Sequence, residues 1–302
     1  MALESIQITE KLVQALIADQ FPQWMHLPVR PTLQSGWDNR SFLIGESKVA
    51  RLPSSKDYEV QVHREQRWLP YLRTHLTVEI PEPLALGRPG RGYPWSWSIY
   101  GWIEGETAAN SPPSDIGQFA GDLAIALSSM HDIPTEGGPE SGQDNFHRGG
   151  ALSVYDEQAR LAIATLGDRL DVSGALAVWE LGLASHWSQA PVWVHGDIAL
   201  GNLLLRDGRL AALIDFGQVC VGDPACDLAI AWTYFRGQYR RSFQSHLKID
   251  PATWQRGRAW ALWKAAIVAA GIAKTNAPEG RVSLLTIDEV LDDYARTERR
   301  GG

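Results

Sequence analysis

The stretch that decides the fold reads VHGDIALGN at residues 194–202 and, after a short hairpin, IDFG at residues 214–217. The hairpin carries an Asp-Gly pair between two apolar runs, which favours a tight type I′ turn. Counting outward from a two-residue turn predicts that Asn202 faces Leu213. Because side chains alternate along a strand, Asn202 and Asp215 are then expected on one face, about 7–8 Å apart, near enough to share one ion.

Two acids and an amide in this stretch predict a magnesium site beside a general base. Asn202 and Asp215 offer only oxygen ligands, which suit Mg²⁺, a cation that usually keeps waters and phosphate oxygens as its other partners. Asp197 lies on the loop entering the hairpin and is free to face a second substrate, as phosphoryl transfer requires. A chance turn or helix cap would explain either motif alone, but the ordered set around one hairpin favours the metal site.

The same residues carry a resemblance to known kinases. The spacing from Asp197 to Asn202, followed after a hairpin by Asp215-Phe216-Gly217, matches the catalytic-loop and DFG signatures of protein kinases. Gly196 stands where protein kinases carry Arg, and GDPACDLA follows at residues 222–229. With these features the chain resembles the aminoglycoside phosphotransferase and choline kinase-like family of small-molecule kinases.

The resemblance implies an α+β, two-lobed protein-kinase-like fold. A small β-rich, nucleotide-binding lobe is expected over residues 1–105, and a larger, mainly helical lobe that binds the acceptor and carries catalysis over residues 106–302. The local patterns agree, because short strand signals fill residues 31–53 and 95–102 and helical periodicity dominates later. In the first helix, Thr9 is predicted as the N-cap.

The resemblance also implies roles for residues of the larger lobe. Asp197 would be the catalytic base, and Asn202 with Asp215 would bind Mg²⁺. His195 and Asp227 would support the catalytic loop. For Asp227 a second interpretation stays open, because an acid in the first turn of a helix is also favoured by the helix dipole.

Nucleotide contacts are implied in the smaller lobe. Gly36 would lie over the phosphates, and Arg51 would replace the usual strand Lys, with Glu65 as the helix acid that pairs with it. The backbone from Gly101 to Ile103 would bind the base of ATP or GTP at a hinge between the lobes. An ordinary hairpin turn at Gly36 and a solvated charge at Glu65 are the alternatives.

Composition excludes some classes of partner. The 302 residues, 44% of them hydrophobic, can bury a substantial core. A net charge of -7 and the lack of a Lys/Arg-rich run argue against nucleic acid as a partner. The negative field would mildly favour a cationic small molecule, although the charge also serves solubility.

Location is predicted from cysteines and hydropathy. Cys220 and Cys226 are the only two cysteines and form no CxxC motif, which is typical of reduced thiols in a cytoplasmic protein. No signal peptide is apparent at the N-terminus. The most apolar later segment, residues 260–273, contains Lys264 and is too short to span a bilayer, so no membrane partner is expected.

Three features are candidates for contact with the acceptor. The long loop over residues 135–150 includes a polar mixture at 144–148 that could touch substrate, although long loops also serve as connectors. Tryptophans of the last third, such as Trp260 and Trp263, could cage a cation or simply fill the core. Acids of the terminal helix are expected to rim the acceptor pocket, as they do in related enzymes.

These observations predict a kinase that transfers the γ-phosphoryl group of Mg-ATP or Mg-GTP to a hydroxyl of an aminoglycoside-like acceptor, as in antibiotic resistance. Residues 222–224 follow the DFG motif almost at once, which leaves no platform for a peptide. Alternatives are a macrolide, amino alcohol or sugar kinase, a nucleotide-binding module without turnover, and a metal-dependent hydrolase. An acidic cleft would favour polyamine-like acceptors, and an apolar one would favour macrolides.

Overall fold

A five-stranded antiparallel sheet forms the smaller lobe. The protein is represented by a computed structural model that describes residues 6–32, 38–273 and 277–301. The elements of this lobe are α1 (Glu10–Gln20), β1 (Val29–Pro31), β2 (Asn39–Ile44), β3 (Lys48–Pro53), α2 (Glu59–Arg73), β4 (Pro83–Gly87) and β5 (Trp97–Gly101). The strands lie in the order β1-β2-β3-β5-β4.

One face of this sheet packs against α1. The helix begins as predicted, because the Oγ1 atom of Thr9 accepts a hydrogen bond from the N–H of Leu12 at 3.3 Å. Alternation along β2 and β3 turns apolar residues towards the helix. The buried residues of this core are Val13, Leu16, Ile17, Val29, Phe42, Ile44, Ala50, Leu52, Tyr93, Trp97 and Ile99. The core fixes β3, the strand that carries Arg51.

The larger lobe is mainly helical. Its elements are β6 (Glu106–Thr107), α3 (Ile116–His131), α4 (Asp156–Leu166), α5 (Val172–Leu183), β7 (Val192–Val194), β8 (Leu203–Arg206), β9 (Arg209–Leu213), β10 (Cys220–Gly222), α6 (Ile230–Thr233), α7 (Gly237–Ser245), α8 (Pro251–Ala269) and α9 (Ala277–Gly301). The central helix α8 packs against α4, α5, α9 and a 3-10 helix over Pro224–Ala229. A small lobe rich in strands and a larger helical lobe confirm the predicted fold class.

The chain passes between the lobes after β5. Strand β6 pairs with β8 of the larger lobe, so the crossing lies between residues 101 and 106. Helix α2 packs against both lobes, because Leu69 and Leu72 near its end are fully buried in the core of the larger lobe. The boundary at residue 105 stays a prediction. None of the described helices is both long and apolar enough to traverse a lipid bilayer.

The predicted register of the β8–β9 hairpin is wrong by one residue. The turn has positive φ at Asp207 and Gly208, as a type I′ turn requires, and Arg206 faces Arg209. Beyond it the pairing shifts at a bulge, so that Leu213 faces Leu203 and not Asn202. The extra residue is Ala211, whose carbonyl accepts a hydrogen bond from the N–H of Glu79 at 3.2 Å.

Candidate active site

The loop after β7 is held by one buried carboxylate. Asp227 lies in the 3-10 helix Pro224–Ala229, which begins after the N-cap Asp223. Its two oxygens accept hydrogen bonds from the N–H groups of His195 and Gly196, each at 2.8 Å. Burial raises the pKa of Asp227, although His195 and these hydrogen bonds oppose the shift. Asp227 thus holds the backbone of this loop, and its role as support of a catalytic loop stays a prediction.

Gly196 adopts a conformation that only glycine fits here. Its φ is +86°, and a Cβ atom at this position would lie 2.7 Å from the carbonyl oxygen of Gln218. An Arg, which protein kinases carry at this position, would therefore collide with the backbone. The neighbouring His195 is fully buried, and its Nδ1 atom accepts the N–H of Asp197 at 3.2 Å. Its Nε2 atom then donates to the carbonyl of Ile214 at 3.1 Å.

Asp197 and Asn202 are in direct contact. The Nδ2 atom of Asn202 donates to the backbone carbonyl of Asp197 at 2.9 Å and to its Oδ2 atom at 3.0 Å. Lys264 of α8 lies 3.4 Å from the other carboxylate oxygen. Burial would raise the pKa of Asp197, but Lys264, Arg148 and His195 outweigh burial and hold it below the usual range. Asp197 is therefore an ionised carboxylate at neutral pH.

Arg51 links Asp215 to Glu65. One terminal nitrogen of Arg51 lies 2.8 Å from Oδ1 of Asp215, and the other lies 3.2 Å from Oε1 of Glu65. Glu65 also accepts the N–H of Phe216 at 2.9 Å and the hydroxyl of Tyr100. Burial raises the pKa of Glu65, and Arg51 opposes this shift. Glu65 is thus a buried partner of the strand cation, and the alternative of a solvated helical charge is wrong.

Asp215 reaches the site through local backbone geometry. Asn202 ends a 3-10 turn over Leu200–Asn202, and its carbonyl accepts the N–H of Ile214 at 2.9 Å. Asp215 then takes a left-handed conformation with φ of +68°, which is rare outside glycine and common at functional sites. Because β9 ends at Leu213, alternation along one strand, the basis of the prediction, does not extend to Asp215.

Another acid, Asp38, lies near Asp215 and Asp197. It comes just before β2 and accepts a hydrogen bond from Gln61 of α2 at 3.3 Å. Burial raises the pKa of Asp38, and the nearby charges of Asp215 and Asp197 add to the shift. Asp38 was not predicted from the sequence, because a single acid in a polar turn gives no signal. The site thus concentrates negative charge that a cation would relieve.

The residues present fit a magnesium ion. Asn202 donates through Nδ2, so its Oδ1 atom points elsewhere and accepts no hydrogen bond within the part of the chain that the structure describes. Asp215 has a second oxygen beyond the one that contacts Arg51. No cluster of three His, Cys, Asp or Glu side chains suited to a metal occurs among the described residues. The protein would therefore supply only the oxygens of Asn202 and Asp215. Such a small set of ligands suits Mg²⁺, which usually keeps waters and phosphate oxygens as its other ligands.

The crossing segment between the lobes offers a backbone donor at Ile103. The N–H of Gly101 donates to Glu82 and that of Trp102 to Ser47, both at 2.9 Å. The N–H of Ile103 makes no hydrogen bond with any residue that the structure describes. Ile103 is therefore the better of the two predicted contacts for a nucleotide base. Gly36, the predicted phosphate contact, lies outside the described residues.

Arg64 connects the lobes below the site. It is buried in α2, donates to the carbonyl of Gly217 at 2.7 Å, and lies 2.6 Å from a carboxylate oxygen of Asp144. The loop over residues 135–150 is thus partly structural. The sequence analysis missed Arg64, since its partners lie 80 and 153 residues away.

Replacing Asp227 with Asn tests the support of the loop. Asparagine has one acceptor oxygen, so its amide would face an N–H group and leave a buried donor unpaired. We expect the free energy of unfolding to fall by about 1–3 kcal/mol, measured by urea denaturation. The control is Asp132→Asn, because the Asp132 side chain is 71% exposed. If the two variants unfold at the same urea concentration and with the same slope, the result would contradict the support of the loop by Asp227.

The fold and the site together define a class: proteins with a protein-kinase-like fold and an Asp-Asn-Asp constellation where the two lobes meet. The family model described as the phosphotransferase enzyme family matches residues 30–260. The chain belongs to this family, which confirms the resemblance found in the sequence.

Individual relatives are distant. An uncharacterized protein of Bacillus subtilis (strain 168), YcbJ, is 25% identical over 209 residues, which cover 62% of this chain and 63% of that protein. An aminoglycoside 3'-phosphotransferase of Escherichia coli is 28% identical over 156 residues, covering 50% and 57%. The chain thus spans about 63% and 57% of the length of these curated relatives.

Solved structures share the fold over nearly the whole chain. The GDP complex of wild-type aminoglycoside 2'-phosphotransferase-IIIa has a TM-score of 0.69 at 18% identity, covering 95% of this chain and 99% of that one. A macrolide 2'-phosphotransferase type I has a TM-score of 0.60 at 19% identity, covering 94% and 99%.

Proposed function

We propose that the protein is a small-molecule kinase that transfers the γ-phosphoryl group of Mg-ATP or Mg-GTP to a hydroxyl of a small acceptor. The observation that carries the proposal is a set of contacts where the lobes meet: Asp197 contacts Asn202, and Arg51 joins Asp215 to Glu65. Membership of the phosphotransferase family supports it. So does likeness to solved structures named for aminoglycoside and macrolide phosphotransferases.

The nucleotide would lie between the sheet and the larger lobe. Arg51 would contact its phosphates through a fork of donors that Glu65 holds in place. The N–H of Ile103 would bind the edge of the base. The side chain of Ile103 belongs to a small apolar cluster with Leu204 and Ala212, which is suited to the face of a purine ring.

The metal would be held by Oδ1 of Asn202 and by Asp215. When bound, Mg²⁺ would supply positive charge that offsets the charge of the polyphosphate. Arg51 would then keep Asp215 oriented through the contact at 2.8 Å. Asp38 adds to the negative field on the same side of the cleft.

Asp197 would accept the proton of the acceptor hydroxyl. The acceptor oxygen forms a bond to the γ-phosphorus while the bond from that phosphorus to the β-bridging oxygen breaks, and the proton passes to Asp197. Asn202 keeps the carboxylate oriented, and the cations around Asp197 keep it ionised beforehand. The base is therefore ready at neutral pH.

A small acceptor, and not a peptide, fits the chain after the DFG motif. Asp223 and Pro224 are buried and lead directly into the short helix that carries Asp227. We also propose a cytoplasmic location, in keeping with two free, buried cysteines. Aminoglycosides and macrolides, for which the relatives are named, are the first acceptors to assay.

The experiment is an acceptor screen with mass spectrometry. The protein is incubated with ATP or GTP, Mg²⁺, and a panel of aminoglycosides, macrolides and cellular metabolites. We expect one product to gain a single phosphoryl group, and chelation of Mg²⁺ with EDTA to abolish this gain. Nucleotide binding without any phosphorylated product would favour a non-catalytic module. Release of phosphate without an acceptor would favour a hydrolase.

A further inference from the structure

Two cations flank the proposed catalytic base. Lys264 lies 3.4 Å from the Asp197 carboxylate, and Arg148 lines the same pocket as that carboxylate. Both line a pocket of about 20 Å³ that also contains Asp197 and Trp260. A space of this size admits roughly one water-sized group. Only one oxygen atom of an acceptor group can therefore enter it without movement of the walls.

Arg148 is built into this pocket. Its Nε atom donates to Gln218 at 3.0 Å, and its guanidinium lies over Trp260 and Trp263 at 5.2 and 5.5 Å from the ring centroids. Within the described residues, its two terminal nitrogens make no hydrogen bond or ion pair. These donors remain free to bind a ligand.

The loop before Arg148 has a fixed shape. Asn145 is fully buried and donates to the carbonyls of Arg148 and Gln218 at 3.2 and 3.3 Å. Phe146 and His147 both have positive φ, at 54° and 51°. Strained backbone of this kind persists where the surroundings hold it and is common at ligand sites. The position of Arg148 is thus determined by the loop before any ligand binds.

The acids expected at the rim of the pocket are engaged elsewhere. Glu289 of α9 pairs with Arg236 and Arg240, and Asp293 pairs with Arg240 and Arg258. Among the described residues that line the pocket, Asp197 is the only acid. Glu289 and Asp293 do not line this pocket, and the expectation of an acidic rim from α9 stays a prediction.

We infer that the acceptor carries an acidic group, a carboxylate or a phosphate ester, next to the reacting hydroxyl, and that Arg148 and Lys264 bind it. This inference rests on the proposed function and narrows its acceptor. A guanidinium with free terminal donors matches the geometry of both anions. A polycationic acceptor would instead meet two like charges beside the base, which is unfavourable.

Tyr155 and two tryptophans of α8 form an aromatic cluster beside Arg148. Tyr155 stacks on Trp263 at 3.9 Å between ring centroids and meets Trp260 edge-on at 5.6 Å. Of these three rings, Trp260 lines the pocket and places apolar surface beside the two cations. Since Trp260 and Trp263 are only 3% and 5% exposed and already contact Arg148, they offer little surface for a second cation.

Fractionation by charge tests the acceptor class. A bacterial metabolite extract is separated on anion- and cation-exchange resins into acidic, neutral and cationic fractions, and each is assayed for phosphoryl gain. We expect the acidic fraction to support transfer. Dephosphorylating that fraction beforehand distinguishes the sources, because activity then survives only for a carboxylate. Transfer confined to the neutral or cationic fractions would overturn the inference while leaving the proposed function intact.

Binding tests the site independently of turnover. With the nucleotide site filled by a non-hydrolysable Mg-nucleotide, inorganic phosphate and acetate are titrated by calorimetry. We expect Arg148→Gln and Lys264→Gln to weaken binding of at least one anion by about tenfold each. The control is Lys248→Gln, whose side chain is 85% exposed. Absent binding, or equal binding in all variants, would overturn the inference even if a kinase activity is found.

Discussion

Replacing Asp197 with Asn is expected to reduce phosphoryl transfer by about 10²- to 10⁴-fold, the usual contribution of a positioned base. Asparagine keeps the shape of the side chain but cannot accept the proton of the acceptor hydroxyl. Nucleotide affinity is expected to change little, because Arg51 and Ile103 would make the main contacts to the nucleotide. The measurements are steady-state kinetics with an identified acceptor and calorimetric titration of the nucleotide.

The matched control for this variant is Asp207→Asn. Asp207 is exposed in the same hairpin region, and Asn-Gly favours the same type I′ turn as Asp-Gly. Its activity and thermal midpoint should equal those of the unmodified protein. Near-normal turnover in Asp197→Asn would contradict the role of Asp197 as base.

Replacing Asp215 with Asn is expected to reduce turnover by about 10²-fold or more, because charge stabilisation by a metal is worth several kcal/mol and each 1.4 kcal/mol is about tenfold. Asparagine tolerates the left-handed backbone at this position better than alanine, so the fold should persist. We also expect the Mg²⁺ concentration for half-maximal activity to rise. Kinetics across a Mg²⁺ titration measure both effects.

Loss of the ion pair with Arg51 could also lower activity in this variant. Urea unfolding of Asp215→Asn measures that effect on stability separately. If the variant is as stable as the unmodified protein and still needs more Mg²⁺, the loss of turnover results from weaker metal binding. An unchanged dependence on Mg²⁺ would contradict the assignment of Asp215 as a ligand.

The sequence predicted those features that depend on local chemistry or on a strong motif. The cap at Thr9 and the turn at Asp207 follow from residue types that favour one backbone geometry. The pairing of Arg51 with Glu65 followed from the resemblance, although the strand carries Arg in place of Lys. The contacts of Asp227 also agree with that resemblance.

Features that depend on distant partners were not predictable. The bulge at Ala211 exists because Glu79, more than a hundred residues earlier, pairs with β9. Lys264 stood out only as a charge in an apolar helix, yet it contacts Asp197 from 67 residues away. Periodicity and composition carry no information about such contacts, so the two cations beside Asp197 became clear only from the structure.

The carboxylate that holds the two amides at residues 195 and 196 has a consequence for the entropy of binding. Because these two hydrogen bonds form without any ligand, the backbone before Asp197 is already ordered. Less conformational entropy is therefore lost at this point of the loop when a ligand binds than if the backbone were free.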